Sequence, residues 1–580
     1  VIRSHLSRKS APISLAAILA AAGVYAHGLN KAATIKGVVR GPQGPIAGAN
    51  VRLQTSSIRT TTDADGSFNL TLPDGMDSAV LTAWAPGHYI GGGTEYRAGE
   101  REIEVLLERH GEFDNREYEW VSAFAEAGNE KACENCHSEQ GNPESELPFD
   151  RWRIDAHANS VHNRRFLTMY LGTDVHGNKS PPTRYQTNQD YGKTPGSPRD
   201  DRPYYGPGYK IDFPATAGNC AACHAPLAAV NNPYGVDPSH LEDVEAEGIG
   251  CDFCHKIWDV TLDPRNGLPF DNRPGVISYI LRRPEEGHQL FTGPHDDVAP
   301  GEDVYSPIQR ESRYCAPCHS AKFWGIEIYN SYGEWLASPY ANPGSQTTCQ
   351  DCHMPSGRSE RFARPAVGGK KRAPGTIFGH KMPGAGDAKL LQNAVTMSAS
   401  AEAHDDTLEV RVEILNDRTG HSVPSDSPLR QMILIVRGVG SDGRALDQCG
   451  GPVLPDWCGQ GDPDDGYVSG FPGKAYAKIL EELWTGVYPS GAYWSQTQIR
   501  SDNRIEPFES DETTYLFRLP EDGEAVVDVL LLHRRAFIEL SDWKGWETED
   551  IEMARQTLRI DENYSPGSGL SQSAETGGKQ

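Results

Sequence analysis

Between Cys133 and His353 one five-residue pattern, Cys-x-x-Cys-His, recurs five times: Cys133–His137, Cys220–His224, Cys251–His255, Cys315–His319 and Cys349–His353. The copies use ten of the twelve cysteines in the chain, and a His follows every second Cys. Two thiols three positions apart fall on one short helical turn and can add to the two vinyl groups of a single porphyrin. The next residue then turns its imidazole toward the iron from the same side, which is the attachment pattern of c-type haem. Five copies predict five covalent haems. Their thioethers come from Cys133, Cys136, Cys220, Cys223, Cys251, Cys254, Cys315, Cys318, Cys349 and Cys352, and their proximal iron ligands are His137, His224, His255, His319 and His353. Zinc ribbons also pair Cys-x-x-Cys, but zinc has no need of a His directly after each pair.

Bulk properties agree with such a chain. With 580 residues, 37% hydrophobic content, 60 Gly and 41 Pro, the sequence is poor in side chains for one large packed core; porphyrins would supply apolar surface for loops to wrap. A formal charge of −25, to which haem propionates would add, excludes the basic footprint of a nucleic-acid binder. It suits docking to basic redox proteins. At the N-terminus Arg3, Arg8 and Lys9 precede an apolar run from Ala11 to Val24, and Val24-Tyr25-Ala26 offers small residues for cleavage before His27. Residues 1–26 therefore read as a secretory signal, with an uncleaved anchor as the alternative. Later apolar runs fall short of the about 18–20 residues a membrane span needs. The chain is expected to be exported, to the periplasm or the cell surface, where c-type haem is attached. Cell-surface association and homo-oligomers are compatible with it.

Short alternating strands punctuated by Gly, Pro and Asp fill residues 34–108, among them Thr34–Val39, Ala49–Leu53 and Ser67–Leu70. They predict a small β-sandwich. Gly37-Val38-Val39, Pro45-Ile46-Ala47-Gly48-Ala49 and Thr62-Asp63-Ala64-Asp65-Gly66-Ser67-Phe68 resemble the landmarks of the carboxypeptidase regulatory-like domain. That resemblance implies a non-catalytic spacer or docking module. Asp63 and Asp65 read as turn residues, since the longer ligand set of a calcium loop is missing. Residues 113–386 form the predicted haem domain, mostly irregular with short helices, including the long connection 172–214. The close spacing of the second and third motifs, and of the fourth and fifth, predicts two pairs of adjacent haems. Residues 390–560 return to β patterns (Leu408–Ile414, Met432–Val436, Ala525–Leu532), which predict an immunoglobulin-like β-sandwich. Cys449 and Cys458 in this region are expected to form a disulfide, as suits an exported protein. Residues 561–580, rich in Ser, Gly and Gln, read as a disordered tail.

Each iron needs a second axial ligand or an open position. Of the 19 His, five are proximal. Met169, Met354 and Met382 are the methionines in or near the haem region, so His on both sides is the economical expectation, and such haems carry electrons. The distal candidates are His157, His162, His295, His380 and His421. His157 and His162 stand five apart in a predicted helix and could serve adjacent haems. His380 and His421 each follow a Gly, which allows close backbone approach, and precede a stiffening Pro. His176, His240 and His288 read as surface or hydrogen-bonded histidines. Lys131, Lys256, Arg313 and Lys322 near the motifs are candidate partners of propionates.

The runs Glu247–Lys256, Tyr314–His319, Tyr332–Tyr340 and Cys349–Pro355 resemble the multihaem cytochrome c-554-type family, and Gly420–Pro424 with Pro428–Arg430 is similar to the β-rich region often fused to it. The resemblance implies bis-His electron transfer with at most one haem of reduced coordination, although five motifs depart from a tetrahaem prototype. The leading expectation is an electron carrier between redox protein partners. The competing one is an oxidoreductase with one open haem acting on a small nitrogen or sulfur compound. No Cys-x-x-Cys-Lys, the variant motif of pentahaem nitrite reductases, occurs here.

Overall fold

The computed structural model describes residues 33–126, 129–183, 185–189, 192–196, 201–298, 301–344, 346–547 and 549–561. The expected signal (1–26) and almost all of the expected tail (561–580) lie outside them. The chain divides into two compact units: residues up to His110 with His295–Tyr305, and Gly111–Pro294 with Ser306 onward.

In the first unit, strand Thr34–Gly41 pairs antiparallel with Ser67–Thr71 and parallel with Ile103–Leu106, while Asn50–Leu53, Arg59–Thr61, Ser78–Trp84 and Gly91–Arg97 make a second, antiparallel sheet. Side chains alternate across each strand, so Ile35, Val39, Val51, Phe68, Leu70, Leu81 and Val105 close one core. The Asp63–Gly66 stretch is a tight turn: Gly66 has φ +77° and donates its N–H to Asp63 O at 2.9 Å. Residues 295–305 come back to this unit. Asp296 takes an ion pair from Arg52 at 2.6 Å, Asp297 Oδ2 accepts the Thr55 N–H at 2.6 Å, and Tyr305 packs edge-on against Trp84.

The second unit joins two kinds of structure. From Gly111 to about Gly386 it is loops, two-stranded ribbons and helices of a single turn or two; the longest described, Arg164–Leu171, has eight residues. Its apolar clusters range from one around Ala221, Leu227, Phe253 and Val276 to a small one of Ala123, Phe149, Trp152 and Ala158. The predicted helix across residues 155–163 is a run of turns instead. Asp155 accepts the backbone N–H of His157 on its side chain at 2.8 Å, and Asn163 caps the next helix through Arg165 and Phe166 N–H. Such local side-chain acceptors compete with helical hydrogen bonds. Beyond Ala394 two four-stranded antiparallel sheets face each other. One is built from Thr396–His404, Thr407–Leu415, Ser510–Arg518 and Gln448–Gly450, the other from Gly473–Tyr476, Gln431–Gly440, Ala525–Arg534 and Ile551–Ile560. Val410, Val412 and Phe517 from one sheet meet Leu434, Val527 and Val529 from the other in the largest core among the described residues. Among the described residues no helix is long and apolar enough to cross a membrane.

Candidate functional site

All five Cys-x-x-Cys-His segments are single helical turns: Glu134–His137, Ala221–His224, Cys251–Cys254, Ala316–His319 and Cys349–His353. In the first four, the His N–H donates to the carbonyl of the first Cys at 2.9–3.1 Å. Residues i, i+3 and i+4 then share one face of the turn, so each segment presents two thiols and an imidazole together.

The imidazoles are oriented by their Nδ1 atoms. His137 Nδ1 donates to Phe362 O at 2.5 Å, His255 Nδ1 to Thr292 O at 2.7 Å and His353 Nδ1 to Pro383 O at 2.7 Å. His319 Nδ1 instead faces the carboxylate of Asp426 at 3.4 Å. An imidazole whose Nδ1–H is committed in this way offers Nε2 as its free lone pair, the arrangement found around metal-ligating histidines. Burial pulls His224 and His353 down to about 4, leaving the neutral, ligating form at pH 7. At His319 burial acts the same way, but the hydrogen bond and charge of Asp426 outweigh it and hold the imidazole up at about 9.

Two distal candidates meet proximal rings. The centroids of His157 and His319 are 6.3 Å apart, and those of His353 and His421 are also 6.3 Å apart. A metal–nitrogen bond of about 2.0–2.1 Å on each side places two imidazole centroids roughly 6.2–6.4 Å apart, so both separations match that of two imidazoles sharing one metal. His157 Nδ1 is held by Asp155 Oδ1 at 2.7 Å. His421 sits on a braced loop: its carbonyl accepts from Asn416 and Thr419, and the next N–H reaches Glu334 at 2.9 Å. The glycines before His380 and His421 are there for proximity. A Cβ at Gly420 would come within 2.9 Å of Trp335 Cδ1, and one at Gly379 within 2.7 Å of Pro355 O. His380 is close enough to His255 and His137 for their charges to act on it; burial, first, and those two rings bring it to about 4.

The remaining candidates lie elsewhere. His162 is exposed, and His295 falls in the segment that packs with the first unit. Phe166 stacks on the ring of His224 at 3.9 Å, a contact with no signature in the sequence. Neither Asp426 nor Asp155 carries a signal in the sequence, since each acts through a His that packing brings to it. Thiols of different motifs lie near enough for their charges to act on one another: Cys251 and Cys133, Cys223 and Cys318, Cys315 and Cys349.

Three of the four cations expected to face propionates are already matched by carboxylates: Lys256 by Asp252, Arg313 by Asp259 and Glu311, and Lys322 by Asp271 and Glu327. Lys256 is fully buried beside Phe291. The expected Cys449–Cys458 disulfide is absent. Cys458 is buried among Ile433, Leu454 and Val468, while Cys449 is exposed on the edge strand of the opposite sheet. Among the described residues no three His, Cys, Asp or Glu side chains converge as a metal site of their own.

Residues 34–100 match the family model of the carboxypeptidase regulatory-like domain, so the chain carries that domain at its N-terminal end. No curated protein matches the chain. Among solved structures it is similar to a penta-haem cytochrome c552 from Thermochromatium tepidum, at 18% identity and a TM-score of 0.49, over 74% of this chain and 97% of that one. A second match, the Fcho1 Mu homology domain of Danio rerio with a bound Eps15 peptide, has 7% identity and a TM-score of 0.12, over 29% of this chain and 49% of that one. Both scores lie below 0.5.

Proposed function

We propose that the chain is an exported pentahaem c-type cytochrome that passes electrons between redox protein partners. The observation that carries this reading is the fivefold Cys-x-x-Cys-His motif, each copy wound into one helical turn. The two imidazole pairs whose separations match a shared metal support it further. In this reading residues 113–386 are the haem domain and 390–560 an immunoglobulin-like module, with the N-terminal domain as a spacer or docking element at the cell surface or between copies of the chain.

Bound haem would supply the reversible one-electron iron couple. The chain's part is to hold and tune it. Cys133 and Cys136, and the corresponding pairs at the other four motifs, would anchor the porphyrins, with His137, His224, His255, His319 and His353 beneath. His157 together with His319, and His421 together with His353, would each hold one iron. His380 would serve the iron of His255 or His137. Carbonyl acceptors at Phe362, Thr292 and Pro383 fix ring orientation without adding charge. Asp426 would place a negative charge behind His319 and so favour the oxidised state of a metal held there, relative to the sites anchored on carbonyls.

Electron paramagnetic resonance of the oxidised protein tests the ligand assignment. Low-spin ferric signals are expected throughout, and His157→Ala and His421→Ala should each convert about one fifth of the iron, one site of five, to high spin. Variants with unchanged spectra would remove these two residues from the ligand set.

A further inference from the structure

Acids outnumber bases in the chain, 80 against 55, yet residues 358–372 hold six cations and the single acid Glu360. The segment closes on itself. Arg372 N–H donates to Glu360 O at 2.8 Å, the Arg361 guanidinium to Gly369 O at 2.5 Å, and Lys371 pairs with Glu360 at 2.6 Å. At its tip the N–H groups of Val367 and Gly369 both donate to Arg364 O, at 3.1 and 2.9 Å. Pro365, Ala366 and Val367 are exposed there, Val367 at 46%. Arg358, Lys370 and Lys371 are exposed as well. Among the described residues no carboxylate lies within ion-pair distance of Arg358, Arg361, Arg364 or Lys370.

What sets this segment apart from a merely solvated run of charge is what lies behind it. Arg364 N–H donates to Cys136 O at 3.0 Å and its guanidinium bonds Asn135 O, both in the first Cys-x-x-Cys-His turn. Phe362 O accepts from His137 Nδ1 at 2.5 Å, and the Phe362 ring lies 6.5 Å from that imidazole and 5.1 Å from the Arg372 guanidinium. A single hydrogen bond therefore joins the segment to the imidazole of the first motif. An apolar tip among unmatched cations has the make-up of a protein interface: the tip excludes water and the charges steer a partner of opposite sign. A loop already fixed by its own hydrogen bonds loses little freedom on docking. An anionic membrane would draw on the same cations, but the helical structure described here is only the three-residue turn Pro365–Val367, with no amphipathic helix to seat in lipid.

We propose that residues 358–372 dock an acidic redox protein beside the first motif, so that electrons enter or leave the chain there. This rests on the haem reading and deepens it by naming the kind of partner. Electron passage makes and breaks no bond: the reduced centre of one protein loses an electron and one ferric iron of the other gains it.

The test uses the full-length, haem-loaded protein and, as probe, plant-type ferredoxin, an acidic one-electron donor. Stopped-flow absorbance gives the second-order rate of haem reduction by reduced ferredoxin, and calorimetry gives the binding of oxidised ferredoxin. In Arg358→Glu with Lys370→Glu, both should fall about tenfold or more at low salt. The two proteins should converge at about 1 M salt, where charges are screened within about 3 Å. Arg411→Glu with Arg444→Glu reverses as many charges in the C-terminal β region and should leave both readouts nearly unchanged. Should the first variant fail to fold, Lys370→Gln gives the same change at smaller size. An equal loss in both double variants, an effect of net charge, would overturn the proposal. So would haem midpoints that shift while the rate stays, which assigns the cations to propionates, or cosedimentation with phosphatidylserine vesicles lost in the variant while the rate stays, which assigns them to a membrane. An unmodified mass with ferredoxin binding still lost in the variant would refute the haem reading and support the surface; a fully loaded protein whose rate and binding match its variant refutes the surface alone.

Discussion

Lys544, fully buried near the end of helix Ile538–Lys544, joins that helix to the haem-motif region of the second unit. Its Nζ donates to Thr168 O at 3.1 Å, Thr173 O at 3.1 Å and Pro207 O at 2.6 Å, three acceptors from two separate stretches of chain. Trp546 adds a hydrogen bond to Thr168 Oγ1. Lys544→Met keeps most of the apolar stem, so little cavity opens, but it takes the donor from all three carbonyls. Thr168 O keeps other donors in Gly172 and Thr173 N–H, so its loss is small. Burial brings the Lys544 amine down to about 7, so below about pH 6, where it is cationic, the other two carbonyls lose a charge-assisted bond each at about 1.5–3 kcal/mol, and removal of a buried cation returns part of that. A net loss of roughly 3 kcal/mol is expected. Urea unfolding followed by far-ultraviolet circular dichroism would measure it, and amide exchange should quicken across Thr168–Thr173 first. A loss under about 0.5 kcal/mol, the range of an ordinary surface substitution, would refute the reasoning.

Three further outcomes follow from the site. Asp426→Asn removes the charge behind His319 and should raise the midpoint potential of one haem while four stay unchanged, as read by spectropotentiometry. Asp150 accepts from Ser138 at 2.6 Å, Ser145 at 2.5 Å and Glu139 N–H at 2.8 Å. Burial raises its carboxyl, but these three donors outweigh that and hold it below the usual carboxylate range. Protonation therefore favours the unfolded chain, and the stability Asp150 contributes, about 1–2 kcal/mol, is present above about pH 4. The difference between the natural protein and Asp150→Asn should shrink as pH falls below that point. Gly275 has φ +57°, and a Cβ there would come within 2.1 Å of Ala222 O and 2.8 Å of Cys223 Sγ. Gly275→Ala should push aside the second motif and lower haem content from five to four per chain, as counted by pyridine haemochrome absorbance.

What could be read in the sequence is what the chain builds locally. Two thiols and an imidazole at i, i+3 and i+4 need only one helical turn, and all five turns form. Strand alternation was equally local: Leu408, Val410, Val412 and Ile414 all point into the core. Distal pairing was not legible, because His157 and His319 meet through packing that no spacing encodes. The helix expected across 155–163 failed on Asp155 and Asn163, which bond the backbone themselves. The cations beside the motifs are claimed by carboxylates such as Asp252 and Asp259, and Cys449 lies on an edge strand while Cys458, at the end of a short 3-10 helix, is buried against the other sheet. Residues 295–305 leave the second unit for the first because Asp296 and Asp297 find Arg52 and Thr55 there, a partnership across more than two hundred positions.

In the proposed cytochrome, five porphyrins are joined to ten sulfurs of this chain. Intact-mass spectrometry of the exported protein after acid denaturation measures it directly. The account predicts the polypeptide mass plus five covalent haems, and Cys349→Ala with Cys352→Ala should remove one. An unmodified polypeptide, or zinc found in place of iron, would contradict it.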